Sequence, residues 1–122
     1  MSDTKPILVV DDDTDILSLI TFVLEAEGYS VSTASDGRAG LEEIERHLPR
    51  LVLLDMKMPV MNGWEFVREV RLRHDSAVPI VIVTASADAR EVAQEVGAVG
   101  WIAKPFDLDQ LVRLVAHHCS DN

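Results

Sequence analysis

Leu51-Val52-Leu53-Leu54-Asp55-Met56-Lys57-Met58-Pro59-Val60-Met61-Asn62-Gly63 is the stretch that decides the fold. Four consecutive large apolar residues predict a strand buried on both faces, as strands of parallel sheets are. The run stops at a carboxylate. An unpaired charge inside a core is very costly, so Asp55 is expected at the C-terminal mouth of the strand, facing solvent or a ligand. Pro59 and the Asn62-Gly63 pair mark a loop, and a helical pattern begins at Trp64.

The same grammar repeats on either side. Ile7 to Val10 is a second solid apolar run and ends in Asp11-Asp12-Asp13. Asp13 or Thr14 can cap a helix carried by Ile16, Leu17, Ile20, Val23 and Leu24, and Gly28 is placed to end it. Tyr29 to Ser35 alternates as a half-exposed strand does, Asp36-Gly37 reads as a turn, and Ala39 to Leu48 as a helix. Beyond the central strand, a helix is expected from Trp64 to about His74, then a strand from Val78 to Val83 ending at Thr84. Ala87 to Val96 gives a helix with a thin apolar side, Trp101 to Ala103 a short strand ending at Lys104-Pro105, and Leu108 to about His118 the last helix.

Solid apolar strands alternating with helices predict an α/β fold: a five-stranded parallel sheet with helices on both faces. If the strand order is 2-1-3-4-5, the first and third strands lie side by side at the point where the winding reverses, which is where such sheets bind ligands. The 122 residues suffice for a single domain with its own core, about residues 6–118, without disulfides. A formal net charge of −10 argues against binding nucleic acid or an anionic membrane through this domain. The sole cysteine, Cys119, the absence of a signal peptide pattern and the lack of a long apolar run fit a cytoplasmic location.

Four strands end in groups that can act together: Asp11 to Asp13, Asp55, Thr84 and Lys104. Two carboxylates about 4 Å apart repel by roughly 4 kcal/mol at an effective dielectric of about 20. Either one is protonated or a cation sits among them. Oxygen ligands of this kind suit Mg²⁺, which typically takes one or two carboxylates plus a phosphate oxygen. Lys104 adds a second positive charge and Thr84 a hydroxyl, which together form a pocket for a dianionic phosphoryl group. A carboxylate at its centre can be the nucleophile.

Through Ile7 to Asp12, Leu53 to Pro59 with Asn62-Gly63, Val83-Thr84-Ala85 and Lys104-Pro105-Phe106, the chain resembles the receiver domain of two-component response regulators, a flavodoxin-like fold. The resemblance implies that Asp55 is the phosphoacceptor for a sensor histidine kinase or a histidine phosphotransfer protein. It implies Mg²⁺ bound by Asp12, by Asp11 mostly through water, by Asp55 and by the Lys57 backbone carbonyl. Thr84 would hydrogen-bond the phosphoryl group, Lys104 would pair with it, and Trp101 would be the aromatic switch residue. Pro105 would follow a cis peptide bond. The output face would be the fourth helix, fifth strand and fifth helix, serving a partner or output domain, with a phosphorylation-dependent dimer among the outcomes. The resemblance thus implies a phosphoacceptor switch rather than an enzyme with turnover.

The alternative is a phosphorylation-independent interaction module of the same fold. An aspartyl-phosphate phosphatase would want an acid two residues after its nucleophile, where this chain has Lys57. A flavin carrier would want a phosphate loop rich in Ser, Thr and Gly after the first strand. Lys57 should face the mouth of the site and so influence the lifetime of the phosphorylated state; Ser86 could act similarly. Asp13 is expected as a helix cap, Asp15 and Asp36 as solvated. Met56, Met58 and Met61 should fill the loop's core, and His117 and His118 should favour a helix C-terminus. The short tail favours a stand-alone regulator.

Overall fold

The computed structural model describes residues 5–58, 60–74, 78–85 and 87–119; Pro59, Ser86 and the tail from Ser120 lie outside them. The chain runs β1 (Ile7–Val10), α1 (Thr14–Ala26), β2 (Val31–Ala34), α2 (Gly37–Arg46), β3 (Leu51–Asp55), α3 (Gly63–His74), β4 (Ile80–Thr84), α4 (Ala89–Val96), β5 (Gly100–Ala103) and α5 (Leu108–Cys119). All the strands pair in parallel, in the order β2-β1-β3-β4-β5. Fold class and strand order are those expected.

The period-2 alternation of a strand sorts the core into two layers. Leu8, Val10, Val52, Leu54, Ile80 and Ile82 face α2, α3 and α4, meeting Leu41, Ile44, Phe66, Val67, Val70 and Ala93. Their neighbours Ile7, Val9, Leu51, Leu53, Val81, Val83 and Ile102 face α1 and α5. There they meet Leu17, Ile20, Leu24, Leu111 and Val115. Each such aliphatic side chain contributes about 1.5–3 kcal/mol when fully buried. The three inner strands are buried throughout, so no registry shift could turn a polar face inward.

Element ends follow local chemistry. Asp13 caps α1, its Oδ1 accepting from the Asp15 and Ile16 amides at 3.0 and 3.3 Å. Gly28, at φ 97°, supplies the left-handed turn after that helix. Asp36, expected to be merely solvated beside a turn, instead caps α2: its Oδ1 accepts from Ala39 N at 2.8 Å, and the helix begins at Gly37 rather than Ala39. Val78 is buried but precedes β4, because Pro79 has no amide to donate; only its carbonyl pairs, accepting from Val52 N at 3.0 Å. At α3, Asn62 and Glu65 cap reciprocally, each side chain accepting from the other's amide at 2.9 Å.

The loop between β3 and α3 carries one backbone outlier. Val60 sits at φ 71°, a conformation that costs a β-branched residue about 1–3 kcal/mol. Its side chain is 74% exposed, so packing gives little back. Replacing it with asparagine, which tolerates this region, is expected to stabilise the fold by about 1 kcal/mol. Urea denaturation checks this; an unchanged or lower midpoint would contradict it.

Candidate functional site

Register brings the strand ends together. Val10 lies opposite Leu54, so Asp11 follows beside Asp55; Thr84 lies opposite Ala103, so Lys104 follows beside Thr84. The backbone extends this alignment past the strands, with Asp11 N donating to Ala34 O at 3.1 Å and Lys104 N to Thr84 O at 2.7 Å. Carboxylate oxygens of Asp11, Asp12 and Asp55 all lie within 4.8 Å of one another. The Lys104 ammonium reaches into this cluster, 3.1 Å from Asp11 Oδ2 and 3.8 Å from Asp55 Oδ1.

The residues differ in exposure in a way that suits different tasks. Asp11 is buried at 2% exposure and held on both oxygens, Oδ1 accepting from Asp13 N at 2.9 Å and Oδ2 from Lys104. Asp12 is exposed. Asp55 ends β3 at 7% exposure, its Oδ1 accepting from Lys57 N at 3.3 Å. Thr84 is buried at the end of β4, and Lys57 is exposed at the mouth. The bond between Lys104 and Pro105 is cis, as the resemblance implied. Trp101 is 43% exposed on β5.

Burial pushes the Asp55 carboxyl up to about 6, with the neighbouring Asp11 charge adding to the effect; Lys104 and the Lys57 amide oppose it, and Asp12 raises it slightly. Three formal carboxylates against one ammonium leave the cluster short of positive charge. A divalent cation fits that deficit, and the donors are hard oxygens on short side chains, the set that Mg²⁺ prefers.

A response regulator receiver domain profile matches residues 7–116. The chain belongs to the response regulator receiver domain family. An uncharacterised 14.6 kDa protein from Leptolyngbya boryana is 40% identical over 116 residues, covering 93% of this chain and 88% of that protein. The DNA-binding response regulator MtrA of Mycobacterium tuberculosis is 43% identical over 111 residues. That match takes 89% of this receiver domain but 48% of MtrA, so the chain spans about half the length of that relative. Among solved structures, TrrA of Thermotoga maritima in complex with Mg(2+)-BeF superposes with a TM-score of 0.84 at 32% identity, covering 94% of this chain and 99% of that one.

Asp11, Asp12, Asp55 and Lys104 meet in this cluster, Lys57 and Thr84 lie beside it, and Trp101 lies outward on β5. Asp13 caps α1, and Met56 and Met58 are buried in the loop's core, as expected. Ser86 lies outside the described residues. One feature of the receiver domain escaped the sequence reading. Ile16 and Leu19 on α1 line an open, mostly apolar groove of about 680 Å³ with Lys104, Pro105, Phe106 and Leu108. The signal was the i, i+3 spacing of Ile16 and Leu19, a second stripe beside the core-facing one.

The charge crowding has a pH signature. A carboxyl whose folded pKa exceeds its ordinary value of 3.8 contributes its full stability below that value and loses it as pH rises through about 6. At about 1.4 kcal/mol per pKa unit, ionised Asp55 costs the metal-free fold roughly 1–3 kcal/mol above pH 7. In metal-free buffer Asp55→Asn should therefore be more stable than wild type at pH 8 by about that amount. The difference should close toward pH 4, and saturating Mg²⁺ should narrow it. Chemical denaturation across pH checks this, and a difference independent of pH would contradict it.

Proposed function

We propose that this receiver domain is a phosphorylatable switch, taking a phosphoryl group onto Asp55 from a phosphohistidine on a sensor kinase or phosphotransfer protein. The observation that carries the reading is the meeting of three carboxylates and one ammonium at the strand ends. The whole chain would act as one unit with its core at about residues 6–118. No described helix is long and apolar enough to cross a membrane, which suits the proposed cytoplasmic location.

Asp12, Asp11, Asp55 and the Lys57 backbone carbonyl would hold Mg²⁺. The Mg(2+)-BeF complex of TrrA supports a divalent cation here. When bound, the ion supplies the positive charge that lets carboxylates and phosphoryl oxygens share the site. Ionised Asp55 is the nucleophile: one carboxylate oxygen forms a bond to phosphorus as the phosphorus–nitrogen bond of the donor breaks. The electron pair of that bond returns to the donor's imidazole. Lys104, now held between Asp11 and Asp55, pairs with the phosphoryl oxygens, and the Thr84 hydroxyl donates to them. Trp101 would change rotamer as Thr84 moves, altering the α4-β5-α5 surface presented to a partner or to a second copy.

The donor would dock on the apolar groove of Ile16, Leu19, Phe106 and Leu108, since Lys104 lines both that groove and the phosphoryl site. A protein seated there has its phosphohistidine beside Asp55 and excludes water from the transfer.

Incubation with Mg²⁺ and acetyl phosphate, followed by intact-mass measurement, is expected to show one added phosphoryl group. Asp55→Asn and metal-free samples should show none. No adduct with any donor would favour the phosphorylation-independent interaction module. Ile16→Asp and Leu19→Asp should slow transfer from a phosphohistidine protein by about 10-fold or more while leaving acetyl phosphate transfer unchanged; equal slowing of both would remove the groove from the reading. Lys57→Ala should shorten the lifetime of phospho-Asp55, because the exposed lysine charge hinders the hydrolytic water or holds the phosphoryl oxygens. An unchanged dephosphorylation rate would exclude that role.

A further inference from the structure

The Lys57 backbone serves the site with both of its polar groups. Its amide donates to Asp55 Oδ1 at 3.3 Å, and its carbonyl is the backbone ligand in the reading above. Beyond that hydrogen bond this backbone lacks the support of strand pairing, because β3 ends at Asp55. Its position depends on how the loop that follows is held.

That loop is closed at its far end by Gly63, whose amide donates to Met56 O at 3.0 Å. A Cβ on Gly63 would collide with Met56 Sδ and lie 2.7 Å from Met56 Cα and 3.0 Å from Cε. The conflict with Cα involves backbone, so no rotamer change relieves it, and Met56 is buried and has nowhere to swing. A second contact holds the loop's outer part. Met61 rests on Gly37, the first residue of α2, where a Cβ would lie 2.9 Å from Met61 Cβ and Cγ and 3.0 Å from its carbonyl oxygen. Between these supports Val60 keeps φ at 71°, a strained shape that persists only where the surroundings impose it.

We propose that Gly63 and Gly37 are positioning residues of the phosphoacceptor site: their missing side chains let Met56 and Met61 seat, and this fixes the Lys57 backbone beside Asp55. The inference rests on the Mg²⁺-dependent reading of the same site. A methyl group at either glycine pushes the loop outward, turning the Lys57 carbonyl away from the carboxylates and lengthening its amide bond to Asp55. Groups that orient metal ligands without touching the metal typically set affinity by about 10- to 100-fold. Gly63→Ala should fall in that range, and Gly37→Ala at its lower end, because part of the Met61 side chain can yield.

The test is calorimetric titration of the full chain with Mg²⁺, paired with the amide resonance of Lys57 in the metal-free protein. Gly100→Ala is the control, since its Cβ would press on His118 Nε2 at 2.9 Å, at the start of β5 and away from the loop. Gly63→Ala and Gly37→Ala should weaken Mg²⁺ binding and shift the Lys57 amide. Gly100→Ala should change neither, since the tip of the His118 side chain can give way. Should Gly63→Ala fail to fold, Gly37→Ala alone decides. Wild-type affinity in the folded glycine variants, or an equal loss in Gly100→Ala, overturns the inference and leaves the Mg²⁺ reading intact. A wild-type chain that does not bind Mg²⁺ overturns both.

Discussion

Repulsion among Asp11, Asp12 and Asp55 is the constraint on which the site depends. Their oxygens lie within 4.8 Å of one another, and Lys104 compensates only one of three formal charges. The fold holds them there because each ends or follows a strand whose other residues are buried aliphatics; the pull of that core on β1 and β3 outweighs the push at their tips. The metal-free site is therefore a strained state with a defined chemical demand, one divalent cation. Once a cation is bound, the same cluster can tolerate further anionic oxygens. A site balanced without metal would have no comparable reason to discriminate between the two conditions.

Lys104 is the adjustable member of this set. In the present state it lies closer to Asp11 than to Asp55, at 3.1 against 3.8 Å, and Asp11 is further fixed by the Asp13 amide. Under the proposed reading, a phosphoryl group on Asp55 competes with Asp11 for this ammonium. The Lys104 backbone is tied to Thr84 O at 2.7 Å, so a shift of the lysine is felt at the end of β4 as well as at the acids. The electrostatic event and the conformational one thus share a hydrogen-bonded segment.

Much of this was legible in the sequence because it rests on features that are linear in the chain. Solid apolar runs announced the parallel strands, and the polar residue ending each run announced the site; the order 2-1-3-4-5 was one of the two that such sheets commonly take. The misread parts depend on contacts across the chain or on backbone detail. Asp36-Gly37 has the composition of a turn, yet the Asp36 carboxylate starts a helix by accepting from Ala39 N. Val78 is as apolar as its neighbours, but Pro79 delays β4. The preference of Lys104 for Asp11, the left-handed Val60 and the seating of Met56 and Met61 on glycines are properties of three-dimensional approach, and no local pattern encodes them.

The distribution of packing says which part of the domain can answer the site. Asp55 continues the Leu51–Leu53 series toward α1 and α5, whereas Thr84 continues the Ile80–Ile82 series toward α2, α3 and α4. Under the proposed reading, movement of Thr84 toward a group on Asp55 would carry the end of β4 away from the layer that contains α4. That helix is lightly anchored: it buries Ala89 and Ala93, while α1 buries Leu17, Ile20 and Leu24. At about 0.8 kcal/mol per buried methylene, the alanines contribute several kcal/mol less than the larger aliphatics do. Its Val92 and Val96 pack on the core only partly buried, and its hydrogen bonds to the α3 side, Trp64 Nε1 to Glu95 Oε1 at 3.4 Å and an Arg71 nitrogen to Gly97 O at 3.3 Å, are exposed and contribute little when water competes for them. Under the proposed reading, new interaction at Asp55 would therefore shift α4 more readily than α1, because α4 is the less firmly packed of the two helices.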